Sequence, residues 1–189
     1  MVYSSGMRTE NLAFIDAEMT GLDLERHEII EIGCVLARQI ERDNMGPRVE
    51  IIEEFEFKIK PKHIETADPE ALLVNGYDPA NWISAVGLKK ALEVLSEKTQ
   101  GAIMVGHNVA FDFAFLNKAF ENSGVPNQMH YHKLDTISIA FGRLYDKHDI
   151  EKFSLRALCE YFGIENKNAH TALSDARATF ELYKRLLVD

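Results

Sequence analysis

The sequence predicts an α/β protein built on a mixed five-stranded sheet that is flanked by helices. Three β-branched and aliphatic segments separated by short loops come first, which favours three antiparallel strands. Helical patterns then alternate with short apolar segments, as expected where later strands join the sheet in parallel. With 189 residues and 46% hydrophobic composition, the chain has the length and apolar content of one globular domain.

The three leading strands are indicated by their apolar patterns and by the turn residues between them. Residues 12–16 are a short apolar run that ends in an acid, and residues 29–37 are β-branched and aliphatic, so each segment predicts a buried strand. Residues 49–60 predict a third strand, because polar and apolar side chains alternate from Glu53 onward, with the period of a half-exposed strand, until Pro61. Turn residues at 42–47 separate the second and third strands.

The rest of the chain combines helical patterns with two short strands. Asp68 precedes Pro69, a proline suited to the first helical position, and predicts a short helix through Leu73. Gly124 and Gly163 are placed to end two of the longer helices. Apolar side chains at helical spacing predict those longer helices at residues 84–98, 111–123, 154–162 and 171–187. The short strands are predicted at residues 102–106 and 130–134.

Composition restricts the partners and the compartment. The chain has 21 Lys+Arg, 30 Asp+Glu and a formal net charge of -9, which argues against wrapping long duplex nucleic acid but leaves room for metal-held nucleotides. Cys34 and Cys159 lie in apolar runs without disulfide or zinc spacing. No secretory signal opens the chain, and no apolar run approaches the roughly 20 residues of a membrane helix. We expect a cytoplasmic protein without a membrane partner, with a flexible leader at residues 1–9 and one domain at residues 10–189.

Acids that interrupt apolar segments mark the candidate site, because a buried carboxylate is rare unless it is paired or binds a metal. Asp16 and Glu18 are two residues apart at the end of the first strand, so they share one face of it. Asp112 lies between two phenylalanines at a helix start. His170 opens the last helix, and Asp175 lies on its next turn. Taken singly, each has an ordinary explanation: a solvated strand end, a first-turn acid, a capping histidine or an arginine partner.

Together these five residues suit metal-dependent hydrolysis of a phosphodiester. Four carboxylates can hold two divalent cations about 3.5–4 Å apart, which stabilise the attacking and leaving oxygens. Oxygen ligands favour Mg²⁺ or Mn²⁺ over zinc. A histidine, with an ordinary pKa of about 6.5, can take the proton of the attacking water. The sequence contains no nucleophile elbow, P-loop or dinucleotide fingerprint that would indicate other chemistry.

These residues stand in three segments that resemble the exonuclease motifs of the DEDD superfamily. The segments are residues 14–22, Gly106-His107-Asn108 with Asp112, and His170 with Asp175. The histidine spacing is similar to that of the DEDDh branch, which includes the proofreading subunit of bacterial DNA polymerase III, RNase T and oligoribonuclease. The resemblance covers residues 11–186. It implies a ribonuclease H-like fold and metal-dependent 3′→5′ removal of nucleoside monophosphates from single-stranded DNA or RNA ends.

The resemblance also implies roles for individual residues. Asp16, Glu18 and Asp175 would bind the catalytic metal. Asp16 would bridge to a second ion held by Asp112, and His170 would be the general base. The residues expected to contact the 3′-terminal nucleotide or to line the site are Ala17, Met19, Thr20, Leu22, His107, Asn108 and Phe111. The two ions would be Mg²⁺ or Mn²⁺.

The resemblance leaves the subfamily, substrate and partners open. Residues 18–22 are like oligoribonuclease, whereas residues 106–112 look more like the proofreading and RNase T groups. The chain stops at Asp189, soon after the third motif, which argues against the tail-mediated polymerase partner of the proofreading subunit. The alternatives to this function are a non-catalytic nucleic-acid-binding module and a ribonuclease specific for short oligoribonucleotides. The resemblance is also compatible with an RNase T-like homodimer. Asp135 matches a structural family position, and Trp82 suits a substrate-side or a packing role equally.

Overall fold

Five strands form one mixed sheet in the computed structural model, which describes residues 7–40, 48–148, 150–166 and 170–188. The strands are β1 (Leu12–Met19), β2 (Ile29–Ile40), β3 (Arg48–Lys58), β4 (Ile103–Gly106) and β5 (Lys133–Asp135). Their order across the sheet is β3-β2-β1-β4-β5. Strands β1, β2 and β3 pair antiparallel, whereas β4 and β5 run parallel to β1. The predicted mixed α/β sheet is therefore confirmed.

Six α-helices surround this sheet within the described residues. They are α1 (Pro69–Val74), α2 (Leu88–Lys98), α3 (Val109–Ser123), α4 (Thr136–Arg143), α5 (Leu155–Phe162) and α6 (Ala172–Val188). The predicted cap of α1 forms, since the Asp68 side chain accepts the Glu70 N–H. Gly124 and Gly163 end α3 and α5 in the left-handed conformation, each with a φ of 64°.

Several elements differ from the sequence prediction, among them β1, which ends at Met19 rather than at residue 16. The second helix begins at Leu88 rather than at residue 84, because Val86 instead forms a parallel bridge with Ile59 beside the sheet. Strand β5 begins at residue 133 rather than at 130. Helix α4 follows it directly and was not predicted at all.

Alternating side chains of β1 face two helical layers. On one face the ring of Phe14 makes edge contacts with Phe180 and Tyr183 of α6, at centroid distances of 5.2 and 5.3 Å. On the other face Ile15 joins a core cluster with Leu116 of α3 and the apolar side of α2. The two acids at the end of β1 continue the Phe14 face, so they emerge beside the first turn of α6.

The expected leader is only partly described. Residues 1–6 and the turn predicted at residues 42–47 lie outside the described residues. The carbonyl of Met7 accepts a hydrogen bond of 2.7 Å from the Gln39 side chain. This part of the predicted leader is therefore attached to β2.

The two cysteines and the lengths of the helices bear on the expectations drawn from composition. Cys34 and Cys159 are buried free thiols, as predicted. Burial raises the pKa of both thiols, to about 11 for Cys159. In the part of the chain that the structure describes, no helix has the length and apolar character needed to cross a membrane.

Candidate active site

The structure brings the five predicted site residues together at the carboxyl-terminal ends of β1 and β4. One ligand atom of each of Glu18, His170 and Asp175 lies within 4.8 Å of the others. Asp16 interacts electrostatically with Asp112, Asp175 and Glu18. Three elements that are distant in sequence, β1, α3 and α6, thus contribute to one acidic cluster.

Three acids of this cluster, Asp16, Glu18 and Asp112, hold their protons more tightly than ordinary carboxyls do. Burial, followed by repulsion from Asp112 and other acids, raises the pKa of Asp16 well above its usual range. Burial and then Asp175 raise the pKa of Glu18 to about 7. Burial likewise raises the pKa of Asp112 to about 7. No described lysine or arginine forms an ion pair with these acids. Their oxygen donors and uncompensated charge fit divalent cations.

Asp112 reaches the cluster from α3 and is held there by the end of β1. Its Oδ1 accepts the Ala17 N–H at 3.0 Å. The turn before α3 places Asn108 in the left-handed conformation, with a φ of 66°. The Asn108 N–H donates to Asp135, whose side chain also caps α4 by accepting the Ile137 N–H at 2.8 Å. The structural role predicted for Asp135 is confirmed.

His107 connects this turn to two other segments. Its Nδ1 lies 2.9 Å from Thr136 Oγ1, and its Nε2 lies 2.9 Å from the Phe153 carbonyl. Because a carbonyl only accepts, Nε2 carries a proton. The Thr136 hydroxyl also donates to the Gly106 carbonyl at 3.2 Å, and burial lowers the pKa of the His107 ring. Both ring nitrogens are engaged within the protein, so His107 positions the turn, and its contact with substrate stays a prediction.

The start of α6 carries the third motif. Asp175 Oδ2 accepts the His170 N–H at 3.0 Å, and its Oδ1 accepts from the Asn166 amide. His170 has a φ of 69°, a conformation that non-glycine residues rarely adopt. Such backbone strain is concentrated at functional sites, where the surrounding contacts maintain it. The exposed His170 side chain thus stands beside an acid that also fixes its backbone.

The predicted substrate residues differ in their access to solvent. Ala17, Met19 and Thr20 are buried, His107 and Phe111 are half-buried, and Leu22 and Asn108 are exposed. Thr20 uses its polar atoms internally, since its Oγ1 accepts the Glu28 N–H at 2.9 Å. Leu22 is 77% exposed on the loop that follows. The buried members support this loop in the structure, and the substrate contacts of all seven stay predictions.

Helix α1 supports the same loop, which sequence analysis did not anticipate. The Asp68 N–H donates to the Thr20 carbonyl at 2.7 Å, and the Asn75 side chain donates to the Met19 carbonyl at 3.0 Å. Further along the chain, Trp82 is 7% exposed, and its indole N–H donates to the Ile30 carbonyl of β2. In the structure this side chain therefore has the packing role. Asn75 stands in residues 73–77, a segment that resembles the family's substrate-side segment, but its contact with the Met19 carbonyl could be identified only from the fold.

A second residue that sequence analysis missed is Glu31 of β2. Its side chain is 2% exposed and accepts the Ala172 N–H of α6 at 3.0 Å. The residue interrupts the apolar run of residues 29–37. The criterion that selected the other acids would therefore have selected it too.

Comparison with known proteins agrees with this geometry. The family model described as exonuclease, of the RNase T type, matches residues 13–183. The chain belongs to this exonuclease family. The exonuclease is 34% identical over 183 residues to Ribonuclease T of Shewanella frigidimarina (strain NCIMB 400), covering 89% of this chain and 78% of the relative. Identity to Ribonuclease T of Shewanella denitrificans is 32% over 183 residues, with 89% and 76% coverage.

Solved structures show the same fold. The exonuclease matches E. coli Exonuclease I in complex with a dT13 oligonucleotide, with a TM-score of 0.75, 20% identity, and coverage of 94% of this chain and 41% of that chain. The zinc-bound complex of E. coli Exonuclease I with single-stranded DNA matches with a TM-score of 0.73 and 19% identity, covering 95% and 40%. The chain thus spans about two fifths of the Exonuclease I chains. By family, the protein is a 3′→5′ exonuclease, a hydrolase of phosphodiester bonds.

Proposed function

We propose that this exonuclease removes nucleoside monophosphates from the 3′ ends of single-stranded DNA or RNA with the help of two Mg²⁺ or Mn²⁺ ions. The observation that carries the proposal is the cluster of four acids, without a cationic partner among the described residues, beside His170. A non-catalytic module would be free to lose members of this set, and here all five positions are occupied. The match to Ribonuclease T relatives supports the same activity.

The residues divide the work of a hydrolysis between them. Asp16, Glu18 and Asp175 would hold one ion, and Asp112 would hold the second together with Asp16. Bound divalent ions supply charge stabilisation for the phosphate and an activated water. His170 is exposed at the edge of the cluster, where its ring can take the proton of that water. The acids would therefore hold the ions that bind the phosphate, and the histidine would take the proton of the water.

The loop after β1 suits a strand end. Leu22 presents an exposed apolar side chain next to the acids and can pack against the terminal base. Hydrogen bonds from α1 to Met19 and Thr20 hold the base of this loop. We propose that residues 10–189 act as one exonuclease domain in the cytoplasm, which the free cysteines support. A homodimer stays a prediction.

The decisive test compares Asp16→Asn and His170→Ala with the unmodified protein on a 5′-labelled oligonucleotide. With Mg²⁺ or Mn²⁺ we expect the unmodified protein to shorten the strand stepwise from its 3′ end. Each variant should lose at least about a hundredfold in rate. Glu97→Gln, an exposed acid on α2, is the matched control and should keep the full rate. Unchanged cleavage by either site variant, or internal cleavage of a 3′-blocked strand, would overturn the proposal.

The substrate is tested by a panel under the same conditions. The panel contains single-stranded DNA, single-stranded RNA, duplex, 3′-overhang and oligoribonucleotides of about two to five residues. A preference for RNA requires contacts to the 2′-hydroxyl. Activity confined to the shortest oligoribonucleotides would favour the alternative of a short-oligoribonucleotide ribonuclease.

A further inference from the structure

Glu31 binds the start of α6 from the middle of the sheet. Its Oε1 accepts the Ala172 N–H at 3.0 Å, between residues 141 positions apart in the chain. The first N–H groups of a helix have no partner within the helix, so they need an acceptor from elsewhere. A carboxylate is also favoured there by the positive end of the helix dipole. Glu31 therefore attaches the first turn of α6 to β2.

The pairing of β1 with β2 places this attachment next to the acids. Glu31 is directly opposite Glu18, and Gly33 is opposite Asp16. Opposed residues share a face of the sheet, so Glu31 and Gly33 lie on the face that carries α6. A Cβ at Gly33 would be 2.2 Å from the Leu173 nitrogen. The first turn of α6 thus lies directly on β2, at a separation that only glycine permits.

This first turn carries two members of the site. His170 precedes Ala172 by two residues, and Asp175 follows it by three. Asp175 accepts the His170 N–H at 3.0 Å, so both residues are joined to each other as well as to the helix. A shift of the turn on β2 would move the base and the acid together relative to β1.

We propose that Glu31 is a positioning residue, whose carboxylate fixes the first turn of α6 and thereby sets His170 and Asp175 against Asp16 and Glu18. This inference rests on the proposed function, because nuclease turnover is its readout. A positioning role differs from a contribution to folding alone. It predicts that kcat falls when the hydrogen-bond acceptor is removed and is kept when a side chain of the same shape retains an acceptor. A misplacement of about 1 Å at a reacting centre is enough to lower the rate about a hundredfold.

The test uses Glu31→Gln and Glu31→Leu. The glutamine keeps an oxygen that accepts the Ala172 N–H, and the leucine fills a similar volume without an acceptor. With Mn²⁺ and a single-stranded oligonucleotide, we expect kcat to fall less than about threefold for Glu31→Gln and at least about thirtyfold for Glu31→Leu. KM should change less than about threefold in both.

Thr99→Val is the matched control for stability. It removes the buried hydrogen bond from Thr99 Oγ1 to the Leu95 carbonyl, 2.7 Å long, at the end of α2 and away from the acids. We expect Thr99→Val to lower the Tm while keeping kcat. A loss of kcat in Thr99→Val that equals the loss in Glu31→Leu would show a general effect of stability and overturn the inference.

Three further results would overturn it, and they are separable from a failure of the proposed function. One is a folded Glu31→Leu variant with normal kcat. Another is a Glu31→Gln variant as inactive as Glu31→Leu and with weakened Mn²⁺ binding by electron paramagnetic resonance, which would make Glu31 a metal ligand. If Glu31→Leu does not fold, Glu31→Ala removes the same acceptor without a bulky side chain and must lower kcat, so normal kcat there also contradicts the inference. Absence of metal-stimulated activity in the unmodified protein would instead contradict the proposed function.

Discussion

Three acids near the site accept a backbone N–H from a neighbouring segment while they face other carboxylates. Asp112 accepts from Ala17, Asp175 accepts from His170, and Glu31 accepts from Ala172. These bonds fix the acids close together, although burial opposes the ionisation of Asp112 and Glu31 by raising the pKa of each. The arrangement is therefore least favourable when the acids are charged and metal-free, which leads to two predictions about single residues.

Asp112→Asn should separate stability from activity. An asparagine oxygen can still accept the Ala17 N–H, which the aspartate does at 3.0 Å, while a charge that burial disfavours is removed. Because burial raises the pKa of Asp112 to about 7, we expect the metal-free variant to have an equal or higher Tm at pH 8. Its Mg²⁺-dependent rate should fall at least about a hundredfold. Thermal melting in EDTA measures the metal-free Tm, and a strand-shortening assay measures the rate. A lower Tm in the variant would contradict the prediction.

Glu18 predicts a pH dependence of metal stabilisation. A carboxyl whose pKa is raised on folding stabilises the protein fully below its unfolded pKa and loses that contribution as the pH rises through its folded pKa. For Glu18 this window runs from 4.5 to about 7. The metal-free Tm should therefore fall across this window, and Mn²⁺ should raise the Tm more at pH 8 than at pH 5.5. Glu18→Gln should weaken this difference. An equal increase in Tm on adding Mn²⁺ at pH 8 and at pH 5.5 would contradict this prediction.

At the scale of elements, local signals predicted the helices that begin or end at a cap, and tertiary contacts decided the others. Ser154 and Gly163 bound α5 as predicted. Helix α4 was missed because Ile137 and Ile139, both β-branched, follow a short strand and weaken the helical pattern. Its apolar side is instead stabilised by packing of Ala140 with α5 and α6. Propensity is a weak guide where such packing dominates.

The same distinction separates the predicted and missed parts of the site. Asp16 and Glu18 were found because acids interrupt an apolar strand next to a recognisable motif. Glu31 also interrupts an apolar strand, but no recognisable motif lies next to it. Asn75 lies in residues 73–77, which resemble the family's substrate-side segment, but its hydrogen bond to Met19, 56 positions away, could not be predicted. Catalytic residues within one sequence motif could therefore be predicted, whereas hydrogen bonds between distant segments could be identified only from the fold.

Helix α1 yields a prediction about substrate binding. Asn75 is 6% exposed and joins α1 to the Met19 carbonyl at 3.0 Å. Asn75→Ala should destabilise the protein by about 1–3 kcal/mol, because a buried carbonyl loses its donor. The loop that carries Leu22 should then be held less well, which raises KM about threefold or more while Mn²⁺ affinity is kept. Asn81→Ala, an exposed asparagine, is the control. Weakened Mn²⁺ binding in Asn75→Ala would show that α1 supports the acids instead.

At the scale of the whole molecule, acidity and nucleic-acid chemistry have to be reconciled. The formal net charge is -9, and two bound divalent ions would reduce it by four charges. The protein stays acidic even then, so long-range attraction of a polyanion is unfavourable. Attraction is confined to the metal-loaded cluster. Such a protein should bind a strand end through a small number of phosphates and bind long duplex weakly.

This reasoning predicts a shallow salt dependence. On single strands, each phosphate contact contributes about -0.7 to the slope of log affinity against log salt. Two or three contacts at the strand end therefore give a slope of about -1.4 to -2.1 for kcat/KM against NaCl at fixed Mg²⁺. Unlabelled blunt duplex should compete at least about tenfold less well than a single strand of equal length, because both of its 3′ ends are base-paired. A slope steeper than about -4, or equal competition by duplex, would require an extended basic track. Either result would mean that the distribution of charge, rather than its total, governs binding.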